Sequence, residues 1–422
     1  MPDYPLIFRV RQKFDAPVLP VDLIPATVES ELARLQLSNR VQPGHSVAIT
    51  AGSRGIANIA AIIKACVTHF QSLGAAPFIV PSMGSHGGGT AEGQRELLAG
   101  YGITEAFCGC LIRSSMQTVV VCQAAEGFPV HFDQHAFGAD HVLVVGRVKP
   151  HTNFVGDIES GLMKMMLIGL GKHEGAKIYH RAIMNHSFGQ IVRSVAREVL
   201  AKCRIVAGVG IVENAYDQTA KIQAVAPHEF EERERELLIL AKEWLPRLPF
   251  KTADVLLLDE IGKNISGSGM DTNVVGRKYN DHVAWENEWP KIKRIAVRDL
   301  TEPTHGNATG IGMSEFCRTR CIEKMDVKIT RINCLTGGHP TAAMQPLDYA
   351  TDREILDAAL PTIGLTPPQD ARLMWAHNTL HIAEVECSTA YLNEARERPD
   401  LTIIRDPRPM PFNEQGNLPD HV

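Results

Sequence analysis

The chain has 422 residues, enough for two domains with full cores. Its 44% apolar and 22% charged residues are ordinary for a globular protein, and a formal net charge of −5 provides no electrostatic footprint for nucleic acid. MPDYPLIFRVRQKF lacks an apolar h-region and the longest apolar stretch, LMKMMLIGLG, is far short of a membrane span, so neither a signal peptide nor a membrane partner is expected. The 9 cysteines form no C-x-x-C pair and no four-ligand set, and read as reduced thiols of a cytoplasmic protein.

In chain order, the first fifty residues read as extended and proline-rich. HSVAIT (45–50) is a buried strand, and ANIAAIIKACVTHFQSLG repeats apolar residues at helical spacing up to a glycine stop at Gly74. APFIVPSMG is the next strand, and TAEGQRELLAGYG the next helix, with Thr90 as its N-cap. ADHVLVVGRVKPH is another buried strand with a polar end, and a further helix is expected from about His173. EFEERERELLILAKEWLPRLP reads as a charged amphipathic connector. A second pattern then begins: ADVLLLDEIG as a strand, a Gly/Ser loop, KIKRIAVRDL as a strand and GNATGIGMSEFCRTRCIEKM as a helix. VKITRINCL reads as a strand, DREILDAALPTIG as a helix and AHNTLHIAEVECS as a strand.

This alternation predicts an α/β fold: two α/β domains with mainly parallel sheets and the active site in the cleft between them. The expected division is 1–248, 249–395 and a tail at 396–422 that either packs back on the first domain or stays extended.

Ligands of open α/β sheets bind beyond the carboxyl ends of the strands. Ser53-Arg54, Ser85-His86 and Lys149-Pro150-His151 all fall at that edge by these assignments. GSHGGGT lacks the lysine of a phosphate-binding P-loop and does not fit G-x-G-x-x-G. His86 is then either a turn residue or half of a histidine pair with His151, and paired imidazoles bind metal or move protons. Arg54, at a strand end and a helix start, suits a carboxylate or phosphate; the plainer reading is a solvated arginine. Lys164 lies among Leu162, Met163, Met165, Met166 and Leu167. It either snorkels to solvent or is a desolvated, nucleophilic amine. His173 and His180 share a helix face without the i, i+4 spacing of a two-histidine site, and His186 follows in RAIMNHSFG.

Several of these segments together resemble the nickel-pincer lactate racemase family. GSHGGGTAEGQRELLAGYG is similar to its first catalytic-histidine segment, and VKPHTNFVGDIESGLMK to its second, which ends in a lysine. The resemblance implies that His86 and His151 are acid/base residues and that Lys164 carries a covalently tethered nickel-pincer nucleotide (nickel with pyridinium-3,5-bisthiocarboxylic acid mononucleotide). It implies cofactor contacts from Ser160 and Gly161 beside it. A histidine sixteen residues beyond the lysine would ligate nickel; that is His180, with His186 the rival because MNHS is also similar to the family's sequence there. Arg54 and Lys149 would hold the substrate, with Lys263 the nearest candidate from the second domain. Ala51-Gly52-Ser53 replaces an acidic residue of the family, and Ala371 falls near where its pocket tryptophan would stand. These departures point away from lactate, toward a larger or more polar 2-hydroxy acid.

The expected activity is therefore a racemase or epimerase of a 2-hydroxy acid, an isomerase working by reversible hydride transfer. One base cannot reach the hydroxyl of both enantiomers, which gives two histidines a reason. Cofactor-biosynthesis proteins would be transient partners. Two other classes fit the same residues: a metal-dependent hydrolase or lyase using His86, His151 and His180 with Asp157 or Glu159 as base, and a non-catalytic carrier of the cofactor.

Overall fold

The computed structural model describes residues 4–53 and 55–420. It is α/β throughout, built on two large, mostly parallel sheets. The described residues separate into two compact units: one runs from Ala16 to Leu245, the other joins the chain up to Asp15 with everything from Pro246 onward. The N-terminal strand thus belongs with the C-terminal part of the chain, whereas residues 1–248 were expected to stay together.

The first unit holds a five-stranded sheet in the order Ala76–Pro81, Ser46–Ala51, His141–Arg147, Ile205–Glu213, Thr219–Val225. The first four strands are parallel and the last is antiparallel. Both faces are covered, so the interior of strands such as HVLVVGR is continuously apolar and buried instead of alternating. Val47, Ile49 and Ala51 face the helices Ile24–Arg34 and Ile59–Ser72; Ala48 faces Leu162, Met166, Leu167 and the helix Phe188–Lys202 on the other side. A separate hairpin, Thr118–Gln123 with Pro129–Asp133, packs on that second face.

The helix at Ile24–Arg34 lies where extended chain was expected. Pro25 sits in its first turn, where a missing N–H costs nothing, and Ile24, Val28 and Leu32 make its buried stripe. The charged helix is Phe230–Glu243, and it is more than a connector: Leu237 and Leu238 pack against Val148 and Val212.

The second unit is one eight-stranded sheet in the order Leu347–Tyr349, Phe316–Arg318, Lys291–Val297, Thr252–Leu258, Leu373–Ala376, Glu384–Ser388, Ile7–Gln12, Leu401–Arg408. The first five strands are parallel; the last three add antiparallel. The tail strand therefore pairs with Ile7–Gln12 inside this sheet. The stretch expected as one strand, 376–388, is the end of one strand, a loop, and a second strand. VKITRINCL, expected as a strand, is the helix Val327–Thr336: Asp326 caps it by accepting from Ile329 N at 2.9 Å, and it buries Thr330 and Cys334 while Ile329 and Ile332 stay exposed. GNATGIGMSEFCRTRCIEKM, expected as a helix, is divided among a short 3-10 turn, the strand Phe316–Arg318 and the helix Thr319–Lys324.

Candidate active site

Three adjacent parallel strands order the candidate residues. Ser46–Ala51 lies between Ala76–Pro81 and His141–Arg147. The loop that begins at Gly52-Ser53 is therefore flanked by the loop carrying His86 on one side and the loop carrying His151 on the other. All three leave carboxyl ends of strands. Arg54 itself lies outside the described residues. Its loop is fastened on the far side: Arg147 is paired with Glu213, whose Oε1 accepts from Ala57 N at 2.6 Å.

The Lys164 segment is seated on these strand ends. It runs as a helical turn, Leu162–Lys164, continuing into a π-helical stretch, Met165–Gly169. π-Bulges occur frequently at functional sites. A Cβ on Gly52 would come within 3.2 Å of the Met165 methyl, and one on Gly84 within 3.2 Å of an Ile168 methyl. The small residues in both loops thus let the segment settle between them. Lys164 is partly exposed, while Leu162, Met163, Met166 and Leu167 are buried.

His86 sits in a turn that no ordinary residue could continue: Gly87, Gly88 and Gly89 all have positive φ, near +65°. Its Nδ1 makes a short hydrogen bond with the Ser53 hydroxyl, and Tyr101 donates its hydroxyl to Ser53 O. Thr90 caps the following helix, accepting from Gly93 N, as its sequence predicts.

His151 is held differently. Its Nδ1 accepts from Asn153 N at 2.9 Å and from Phe154 N at 3.3 Å. A nitrogen facing two donors carries no proton, so the neutral ring bears its proton on Nε2. The ring stacks on Phe154, with centroids 4.3 Å apart, and Phe154 stacks on Phe188 at 4.4 Å. Its backbone is tied down as well: His151 N donates to Glu159 Oε2 at 2.7 Å, and Glu159, fully buried, pairs with Lys242 at 2.6 Å. Lys149 N donates to Ser160 O at 2.9 Å, which brings the loop's start against the residues preceding Lys164.

His180 lies in the last turn of the helix Lys172–Ala182. Burial, and then the positive charge of Lys164, push its imidazole below the usual value, so the ring is neutral at pH 7. Neutral imidazole is the metal-ligating form. His186 interacts instead with Glu126, whose carboxylate accepts from Ser194 Oγ at 2.6 Å. Of the two histidines, His180 is the one whose imidazole feels the charge of Lys164. Lys263 belongs to the second unit, where its Nζ donates to Gly267 O at 2.5 Å.

Two carboxylates considered as bases are engaged elsewhere. Asp157 pairs with Arg193 and Arg235, both at 2.8 Å, and Glu159 holds the His151 loop. Among the described residues no group of three or more His, Cys, Asp or Glu is placed to share a metal ion.

Sequence reading missed Glu234. It is fully buried on the helix Phe230–Glu243, and its Oε2 accepts from Met163 N at 2.8 Å, capping the turn that presents Lys164. A Cβ on Gly161 would lie 2.5 Å from the Glu234 carboxyl, so any larger residue there would have to displace that carboxyl. The one available signal was a glutamate on the apolar side of an otherwise charged helix.

The whole fold is similar to a racemase. The lactate racemase apoprotein from Thermoanaerobacterium thermosaccharolyticum superposes with a TM-score of 0.54 over 87% of this chain and 93% of that one, at 12% sequence identity. At that identity the likeness is one of fold. No family model and no curated protein matches the sequence. No helix among the described residues is long and apolar enough to cross a membrane.

Proposed function

We propose that this protein is a nickel-pincer-nucleotide-dependent racemase or epimerase of a 2-hydroxy acid. The observation that carries this reading is the seating of Lys164 on a π-helical segment packed against the ends of three parallel strands, with His180 on the helix that follows and within reach of the Lys164 charge. The distant fold likeness to lactate racemase supports it.

Lys164 would hold the cofactor covalently, with Ser160 and Gly161 beside it, and His180 would ligate its nickel. When bound, the group supplies an electrophilic ring able to take and return the α-hydride of the substrate. The protein's own share is to place the substrate and manage one proton. Arg54 and Lys149 supply positive charge for the carboxylate, which fixes the α-carbon in a reactive pose.

His86 would act as the base for the substrate hydroxyl through Nε2, in the tautomer that carries its proton on Nδ1 toward Ser53 Oγ. His151 is set the opposite way, presenting Nε2–H as a donor to the oxygen. The other enantiomer presents its hydroxyl to His151. For that ring to act as base, Nε2 must give up its proton while Nδ1 releases the Asn153 and Phe154 N–H groups and takes one, a change of tautomer with no net gain. To act as acid the ring must first gain a proton at Nδ1, since a neutral ring that gave up Nε2–H would be left an anion. Lys263 is proposed as a substrate contact from the second unit. The replaced residues at Ala51–Ser53 and Ala371 favour a substrate larger or more polar than lactate.

The test is the intact mass of the protein co-expressed with the cofactor-biosynthesis enzymes. An addition mapped to the Lys164 peptide, together with interconversion of a 2-hydroxy acid, is expected. An unmodified Lys164 in active protein overturns the reading; an adduct without interconversion on a broad substrate panel identifies a carrier instead.

A further inference from the structure

Lys172 has no part in the chemistry above, yet it is fully buried, and so is Asp133, 3.0 Å from its Nζ. Removing two charges from water costs several kcal/mol per ion before their attraction is counted, so such a pair is a poor source of stability in itself. Its position is more informative. Lys172 Nζ donates to Pro81 O, the last residue of the strand that leads to the His86 turn. It also lies 3.4 Å from Gln94 Oε1. The Gln94 amide, itself buried, donates onward to Gly84 O at 3.0 Å and to His86 O at 3.3 Å.

The cation thus fastens both ends of the His86 turn, one directly and one through Gln94. Its other attachments reach further. Asp133 ends a hairpin strand and caps the next helix by accepting from Ala136 N at 2.8 Å. Lys172 takes a left-handed φ of +54° and opens the helix that carries His180 near its end. A buried amine with these partners is no second tether for a cofactor.

We infer that Lys172 is a positioning residue: its buried ammonium, clamped by Asp133, locks the turn presenting His86 to the start of the helix presenting His180. What His86 then does rests on the function proposed above; how it is held does not.

The test uses the full chain carrying Lys172→Met with Asp133→Asn, which removes both charges while keeping the acceptor for Ala136. Gln94→Met, which cuts only the link to the turn, is the second variant and decides the matter if the first fails to fold. The readouts are the ¹⁵N shifts of the His86 ring across pH, and kcat and KM of the loaded enzyme. Expected are variants whose His86 ring ¹⁵N shifts and their pH dependence depart from wild type as the ring's contact with Ser53 is loosened. Alongside, kcat should fall ~10- to 100-fold with little change in KM, the loss typical of a catalytic group displaced by about 1 Å. Folded variants with wild-type ¹⁵N shifts and wild-type kcat overturn the inference. If wild-type protein interconverts no 2-hydroxy acid, the proposed function fails, and the ¹⁵N shifts alone still decide whether Lys172 positions His86.

Discussion

The carboxylate of Glu234 accepts a hydrogen bond from the backbone N–H of Met163, one residue before Lys164, at 2.8 Å. Burial pushes that carboxyl up to about 7, against the pull of hydrogen bonds from Met163 and Leu162. Between pH 4.5 and 7 the folded chain therefore keeps a proton that the unfolded chain releases, so folding stability falls as pH rises through this window and levels off above it. The group's share is on the order of 3 kcal/mol, from about 1.4 kcal/mol for each pH unit. Glu234→Gln keeps an acceptor for Met163 N and cannot ionise. Denaturant melts at pH 5 and pH 8 should show a smaller loss of stability for the variant than for wild type. Equal slopes would mean that Glu234 is ionised in the folded protein well below pH 7.

His180 and His186 should differ in their hold on metal. In protein bearing the Lys164 adduct, His180→Ala is expected to lose most of its nickel on gel filtration, while His186→Ala keeps it. Metal analysis of the eluted protein measures this, and nickel retained by His180→Ala would reassign the ligand.

His86 and His151, proposed as the acid/base pair, should fail on opposite enantiomers. With His86→Ala, rapid mixing should yield enzyme-bound 2-keto acid from one enantiomer only, and with His151→Ala from the other only. Neither variant should complete interconversion, and both should keep the Lys164 adduct. Loss of both half-reactions in one variant would show a single base serving both hands.

Glu159 should matter to catalysis through His151. Glu159→Ala leaves His151 N without its buried acceptor, a loss of about 1–3 kcal/mol in stability, and frees the loop. We expect kcat to fall more than ten-fold, on the order of magnitude seen when a supporting residue is removed. Lys242→Met, which leaves the His151 N–Glu159 hydrogen bond in place, should have the smaller effect. Steady-state kinetics of the two variants compare them directly.

The strand-end positions of His86 and His151 were legible because a buried parallel strand is a short apolar run with a polar end, and the chain shows three of them around these loops. Lys164 stood out by its apolar neighbours. What stayed hidden depends on contacts far apart in sequence. Glu234 is 71 residues from Met163, and Lys172 is 78 from Gln94, so no local pattern links them. Ile24–Arg34 was masked by Pro25 and the prolines just before it, and Val327–Thr336 by β-branched residues whose strand preference the Asp326 cap and the burial of Thr330 and Cys334 override. The strand Ile7–Gln12 gives no sign in sequence that its partners are Glu384–Ser388 and Leu401–Arg408, near the other end of the chain.

Hydride return is the central claim, and an isotope at the reacting carbon reads it most directly. Loaded enzyme is incubated in ordinary water with one enantiomer of a 2-hydroxy acid deuterated at C2, and the opposite enantiomer is isolated and weighed by mass spectrometry. Retention of deuterium in that product is the predicted result. Replacement of the label by solvent hydrogen would contradict hydride transfer and leave His86 and His151 as bases acting on carbon.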